Sequence, residues 1–317
     1  MGGSTMDPVR RCQASPPCRA RHRESALGAL LLTAVLAGCA PGGASTPSPG
    51  PSGPPSPPVA ADIVFRATVV QALPPIEQFE WLPLAVVTAD GRLLTPGPMM
   101  ARYPGPLVAP IEERTITPAG VELLLGALRD AGLLTGQSDF TGGTLRPGQA
   151  AGRLEVVADG RRYEIIGDPS RVVRCGDEPA RCIPAPGTPE AFAHFWLRLA
   201  DLPGWLASEL GPPRPYAPTA YAVLVGPPPE EGGLVQQPAT WPIEPALAEF
   251  GRPLSGDPTR RCGLVTGAAA TTLRPVLEAA NELTSWVEAA DPATRYGLTV
   301  RPLLPGDPDP CLALVGP

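Results

Sequence analysis

RLEVVADGRRYEII, residues 153–166, decides the fold. Two β-rich runs flank Asp159-Gly160, and an Asp-Gly pair between such runs supplies the positive φ angles of a tight hairpin turn. The device also stands upstream, in LPLAVVTADGRLLT (82–95) around Asp90-Gly91, after a strand reading IVFRATVV (63–70). A helix lies between the hairpins. Thr117 is its N-cap, Pro118 its first residue, Val121, Leu124, Leu125 and Leu128 recur at helical spacing, and Gly132 stops it. Thr188-Pro189 opens a second helix with Phe192, Phe195, Trp196 and Leu199 on one stripe, and Leu202, Trp205 and Leu206 continue the apolar surface past Pro203.

Hairpins and helices without strict alternation give an α+β fold. Two small domains are expected, each an antiparallel or mixed sheet with helices packed on one face. The segment GPPRPYAP (211–218) has no periodicity and divides an N-terminal domain (62–211) from a C-terminal one (218–317). In the second, YAVLV (221–225), CGLVT (262–266) and YGLTVRPLL (296–304) read as strands. A helix over about 272–290 separates the last two, with Leu273, Val276, Leu277, Ala280, Leu283 and Val287 apolar, and residues 226–260 read mostly as loop. Some 250 residues in two domains can bury ample cores.

Residues 1–24 are basic, with Arg10, Arg11, Arg19, Arg21 and Arg23 opposed by Asp7 and Glu24. SALGALLLTAVL (25–36) is then apolar and uncharged. At roughly 12 residues it falls short of the about 20 that span a bilayer, and it has the proportions of a signal-peptide core. LAGC (36–39) follows directly and resembles the lipobox of bacterial lipoproteins. That resemblance implies a signal peptide over 1–38, a diacylglyceryl group on the Cys39 thiol and Cys39 as the first mature residue. Two acyl chains suffice for lasting membrane attachment. Residues 40–60 are Pro, Gly, Ser, Thr, Ala and one Val, so 39–61 reads as a lipidated, disordered tether. In polyproline geometry it reaches up to roughly 60 Å.

The net charge of the 317-residue chain is −6, with no lysine, and loss of the arginine-rich leader makes the body more acidic still. Such a body argues against nucleic acid and against electrostatic docking on anionic lipid. Of seven cysteines, Cys12 and Cys18 leave with the leader and Cys39 carries lipid. Cys175, Cys182, Cys262 and Cys311 remain, a disulfide count for an exported protein. Pairing Cys175 with Cys182 and Cys262 with Cys311 is favoured, since the first closes a short Pro-containing loop and each stays within one domain. The chain-entropy model puts these closures at about 2.5 and 4 kcal/mol. A four-cysteine metal site would want a CxxC pair, which the chain lacks.

The order strand, ADG hairpin, Thr-Pro helix ending in DAGLL, second DG hairpin and helix resembles a domain of unknown function widespread in secreted bacterial proteins. With WPIEPALAEFG (241–251), RCGLVTG (261–267), ANELTSW (280–286) and YGLTVRPLLPGDPDPC (296–311), the chain is similar to uncharacterised lipoproteins of high-GC Gram-positive bacteria. The resemblance implies a compartment and carries no functional residues.

His194, beside Arg198 and Asp201, lies off the apolar stripe and reads as solvated, and no GxSxG elbow supplies a nucleophile. Carboxylate pairs are the remaining acid-base option: Glu112-Glu113, Asp177-Glu178, Glu230-Glu231 and Asp307 with Asp309, all read as loop residues. A glycosidase needs two such groups held about 5–9.5 Å apart across a cleft. FTGGTLRPG (140–148) lacks the strand-to-helix context of a phosphate loop. In TPGPMMARYPGPLVAP (95–110), Met99, Met100, Arg102 and Tyr103 form a possible contact loop; the competing expectation packs Met99 and Tyr103 on the sheet. Trp241 and Trp286 read as core. No cofactor, metal or catalytic residue is expected. The function expected is a membrane-anchored extracytoplasmic lipoprotein that binds an envelope protein or ligand, its oligomeric state left open; the alternative is an envelope-directed hydrolase using loop carboxylates.

Overall fold

Both Asp-Gly pairs turn hairpins. Asp159 and Gly160 take φ values of 52° and 70°, and Gly91 takes 79°. The computed structural model describes residues 62–315 apart from 100, 102, 147, 173–182, 231–233 and 235. β1 (Ile63–Gln71) precedes the hairpin of β2 (Ala85–Thr88) and β3 (Arg92–Pro96), then β4 (Ile111–Thr115) and α1 (Pro118–Asp130). Next come β5 (Asp139–Phe140), β6 (Ala150–Ala158) and β7 (Arg161–Gly167), with α2 (Pro189–Leu199) and α3 (Leu202–Trp205). The remainder runs β8 (Arg214–Pro215), β9 (Ala220–Gly226), β10 (Ala239–Thr240), β11 (Arg252–Leu254), β12 (Asp257–Thr266), α4 (Gly267–Ala279), β13 (Trp286–Val287), β14 (Gly297–Pro302) and α5 (Leu312–Val315).

Eight strands form one sheet in the order β5-β7-β6-β1-β2-β3-β4-β8. Only the β5–β7 pair in it is parallel. The register sets Phe65 against Val156 and Ala67 against both Leu154 and Ala85, so one face collects the apolar residues that α1 and α2 cover. Thr117 and Thr188 cap these helices as expected, their hydroxyls accepting from the N–H of Gly120 and Ala191. α2 approaches the sheet closely because Gly152 and Gly167 face each other across β6 and β7. A Cβ at those positions would lie 2.4 Å from Trp196 and 2.3 Å from Phe192.

The second sheet, β11-β12-β9-β14, is antiparallel. α4, Trp241, Phe250 and Trp286 cover one face, and Trp241 meets the rings of Phe250 and Trp286 edge-on. Its other face packs against Phe79 from the first half, together with Leu314 and the Cys262–Cys311 disulfide. β10 and β13 form a separate parallel pair. The fold is therefore α+β, with helices on sheets.

Two local expectations change. The helix expected over 272–290 occupies Gly267–Ala279, with Pro275 inside it. It stops because Asn281 makes a tight turn: its N–H donates to the Thr284 hydroxyl and its side-chain oxygen accepts from the Leu283 N–H. Leu283 is buried off the helix, and Val287 belongs to β13. Glu112 and Glu113 lie on strand β4 rather than in a loop, because β4 bridges β3 and β8. The segment 211–218 contains β8, where Arg214 pairs with Glu113.

Candidate functional site

A cleft of about 590 Å³ opens between the β3–β4–β8 margin of the large sheet and the segment that follows β14. Arg92, Glu113, Arg214, Tyr216, Leu304 and Asp307 line it. Strand pairing places the first three: β3 sets Arg92 beside Thr115, and β4 sets Glu113 opposite Arg214 of β8. The other wall is placed by the turn at Gly306, whose φ is 70°. A Cβ there would meet Ile63 at 2.7 Å, so that turn seats directly on the start of β1.

Its base is a buried ion cluster. Arg66 donates from Nη1 to Asp307 Oδ1 at 2.5 Å and from Nη2 to the Pro305 carbonyl at 2.6 Å. The side chains of Arg66 and Asp307 are 6% and 0% exposed. Asp307 Oδ2 accepts from the Leu304 N–H at 2.9 Å and, at 3.4 Å, from Arg301 Nη2. Two arginines thus converge on one carboxylate, and Arg301 Nε is buried without a hydrogen-bond partner. At the cleft wall Glu113 is buried and accepts from Arg214 Nη2 at 2.8 Å. Burial pushes the Tyr216 phenol above its ordinary range, with Arg92 opposing and the charges of Glu113 and Asp307 adding to the rise. Tyr216 therefore stays a hydrogen-bond donor at neutral pH.

Two carboxylates line one cleft, yet each is engaged. Both Asp307 oxygens accept hydrogen bonds from protein donors, and Glu113 pairs with the neighbouring strand's arginine. A catalytic acid-base pair needs both groups facing the substrate, one of them able to give a proton. The arrangement is suited to holding a ligand through the N–H groups that Arg92 and Arg214 do not spend on Asp90 and Glu113 and through the oxygen of Tyr216, whose hydroxyl donates to the Leu303 carbonyl at 3.5 Å; it does not resemble a proton-transfer pair.

Of the site residues expected from the sequence, Cys39, Met100, Arg102, Cys175 and Cys182 lie outside the described residues, as do Asp177, Glu178 and Glu231. Cys262 and Cys311 are bonded. Met99 and Tyr103 are 67% and 69% exposed, so neither packs on the sheet. Asp309 accepts from the Cys311 N–H at 2.8 Å; Glu230 and His194 are exposed, and Trp241 and Trp286 are buried. Arg66 escaped sequence reasoning because its partner lies 241 positions on, and Arg301, only six residues from Asp307, because nothing local marks that carboxylate as buried. Glu80 was also missed. Burial raises its carboxyl above the ordinary value and the charge of Glu282 adds to this, but neither residue lines the cleft.

Among the described residues no group of three or more His, Cys, Asp and Glu could hold a metal ion, and no helix is long and apolar enough to cross a membrane. No family model, curated protein or solved structure matches the chain.

Proposed function

We propose that the protein is a lipoprotein anchored through Cys39 on the extracytoplasmic face of the cell membrane, and that its folded body binds an envelope protein or ligand without catalysing a reaction. The observation that carries the binding reading is the cleft, whose two carboxylates are committed to arginines while the remaining N–H groups of Arg92 and Arg214 and the Tyr216 oxygen line the open space. The Cys262–Cys311 bridge supports an oxidising compartment, where structural disulfides persist. LAGC at 36–39 supports the anchor, and the proline-rich run after it supports a spacer. The exposed Met99 and Tyr103 offer a second adaptable contact surface.

Two experiments test this. A photo-crosslinking residue at position 216, in intact cells, should give a discrete adduct that Arg214→Ala diminishes; adducts that ignore Arg214, or appear equally from an exposed position such as 194, refute a binding cleft. Cys39→Ser should shift the protein from the membrane to the soluble exported fraction. Persistent detergent-dependent partitioning would contradict lipidation. A hydrolase would instead lose turnover of an envelope polymer in Glu113→Gln while keeping its fold.

A further inference from the structure

A second cleft, of about 670 Å³, lies near the edge of the large sheet formed by β5. β5 and β7 run parallel there, so the chain leaving β5 and the chain leaving β7 emerge side by side. Crevices beyond the carboxyl ends of parallel strands are where loops of open sheets converge on ligands. The stretch leaving β5 is the glycine-rich one that matched no phosphate loop, and Gly142 and Gly143, with φ of 69° and 144°, bend it around the opening.

One buried carboxylate organises the walls. Asp168 Oδ1 accepts from the Ser170 N–H at 2.9 Å and from its hydroxyl at 2.6 Å, and Oδ2 accepts from Gln149 Nε2 at 2.8 Å. Arg171 Nε stands 3.7 Å from the same Oδ2, while Nη2 donates to the Gly142 carbonyl at 3.0 Å and Nη1 lies 3.9 Å from Glu190. Arg171 is thereby stretched across the cleft. Gln149 holds the other side, accepting from the Arg146 N–H at 3.0 Å through Oε1 and donating its own N–H to the Arg146 carbonyl at 2.9 Å. That turn presents Arg146, whose guanidinium has no hydrogen bond or ion pair among the described residues.

The inventory points to one ligand class. Arg171 is flanked by Asp168 and Glu190, so among the described residues Arg146 brings the one unpaired positive charge to the cleft, in a chain whose net charge is −6. The second Nε2 hydrogen of Gln149, the Thr144 hydroxyl and the acceptor face of Ser170 remain for neutral polar groups. Leu145 is the one large apolar side chain in the lining and no aromatic ring is present, so a neutral sugar would find no stacking platform.

We propose that this cleft binds a sugar acid: a single carboxylate on a hydroxyl-rich frame, with Arg146 taking the carboxylate through its planar fork. Thr144, Gln149 and Ser170 address the hydroxyls, and Asp168 acts through Gln149 and Arg171 by positioning them. A single unpaired guanidinium matches a carboxylate rather than a dianionic phosphate ester. This site is separate from the cleft lined by Arg214 and Tyr216, and stands or falls independently of it.

Titration calorimetry on the full-length protein with glucuronate, glucose 6-phosphate and glucose tests the assignment at millimolar ligand. Glucuronate should bind, glucose should not, and glucose 6-phosphate should bind more weakly than glucuronate. Arg146→Ala should weaken glucuronate by about tenfold or more, with an unchanged melting temperature because the side chain is exposed. Arg146→Lys should restore part of the loss, and Arg214→Ala should change nothing. Equal binding of glucose and glucuronate, no binding of glucuronate, tighter binding of glucose 6-phosphate, or an Arg146→Ala protein with wild-type affinity would each overturn the proposal.

Discussion

The single contact with the most structural consequence is Arg66 to Asp307, two residues 241 positions apart that meet at 2.5 Å with almost no exposure. Removing one member of a buried pair leaves the other charge without compensation, at a cost of about 3–5 kcal/mol. Asp307→Ala should reach that range in chemical denaturation, since it strands both Arg66 and Arg301; a change below about 1 kcal/mol would show the cluster to be hydrated. Four carboxyls lie below their ordinary values. Thr88 and then Arg92 lower the Asp90 carboxyl, Thr141 lowers Asp139, Thr259 lowers Asp257 and Thr294 lowers Asp291. A carboxyl lowered by folding contributes stability that is complete above its unfolded value, near 3.8, and is lost as pH falls through the folded value. Glu80, raised by burial and by the charge of Glu282, acts in the opposite sense. Melting temperature should hold level above about pH 5 and drop as pH falls below 3.8, and Thr88→Val should flatten that drop. The Asp-Gly turn at Asp90 was legible beforehand because its dipeptide is a turn signal; the equally local pairs at Asp139, Asp257 and Asp291 carry no such signal, and Arg66 meets Asp307 across 241 positions.

At the scale of elements, legibility follows range. The Thr-Pro helix starts and the two hairpins came through because each signal lies within a few residues of the structure it specifies. β4 did not, for IEERT reads as a charged loop until Arg214, 101 positions on, satisfies Glu113. α4 was misplaced because Leu283 and Val287 continue its apolar spacing while Asn281 has already turned the chain. Thr117→Ala and Thr188→Ala should each cost about 1 kcal/mol by removing a cap. Gly167→Ala should cost about 1–3 kcal/mol, as an added methyl must push Phe192 off the sheet. Equal stability of the Ala protein would mean α2 can slide. Neither cleft was visible in the sequence, since each is built by strands that pair only in the folded chain.

Over the whole molecule, the Cys262–Cys311 bridge fastens β12 to the chain's last helix. Opening it should lower stability by about 4 kcal/mol in the chain-entropy account, measured as the difference between oxidised and reduced unfolding curves. The α+β class was legible from local patterning; the joining of the halves was not. Leu304 covers Ile63, Val86 and Leu94, and Leu314 covers Ile76 and Phe79. A polypeptide threaded amino end first through a narrow channel therefore leaves those early apolar surfaces bare until position 314 has emerged. Closure waits on residues 304–314, and any stall before they emerge leaves a half-closed intermediate that is fodder for proteases or for its neighbours.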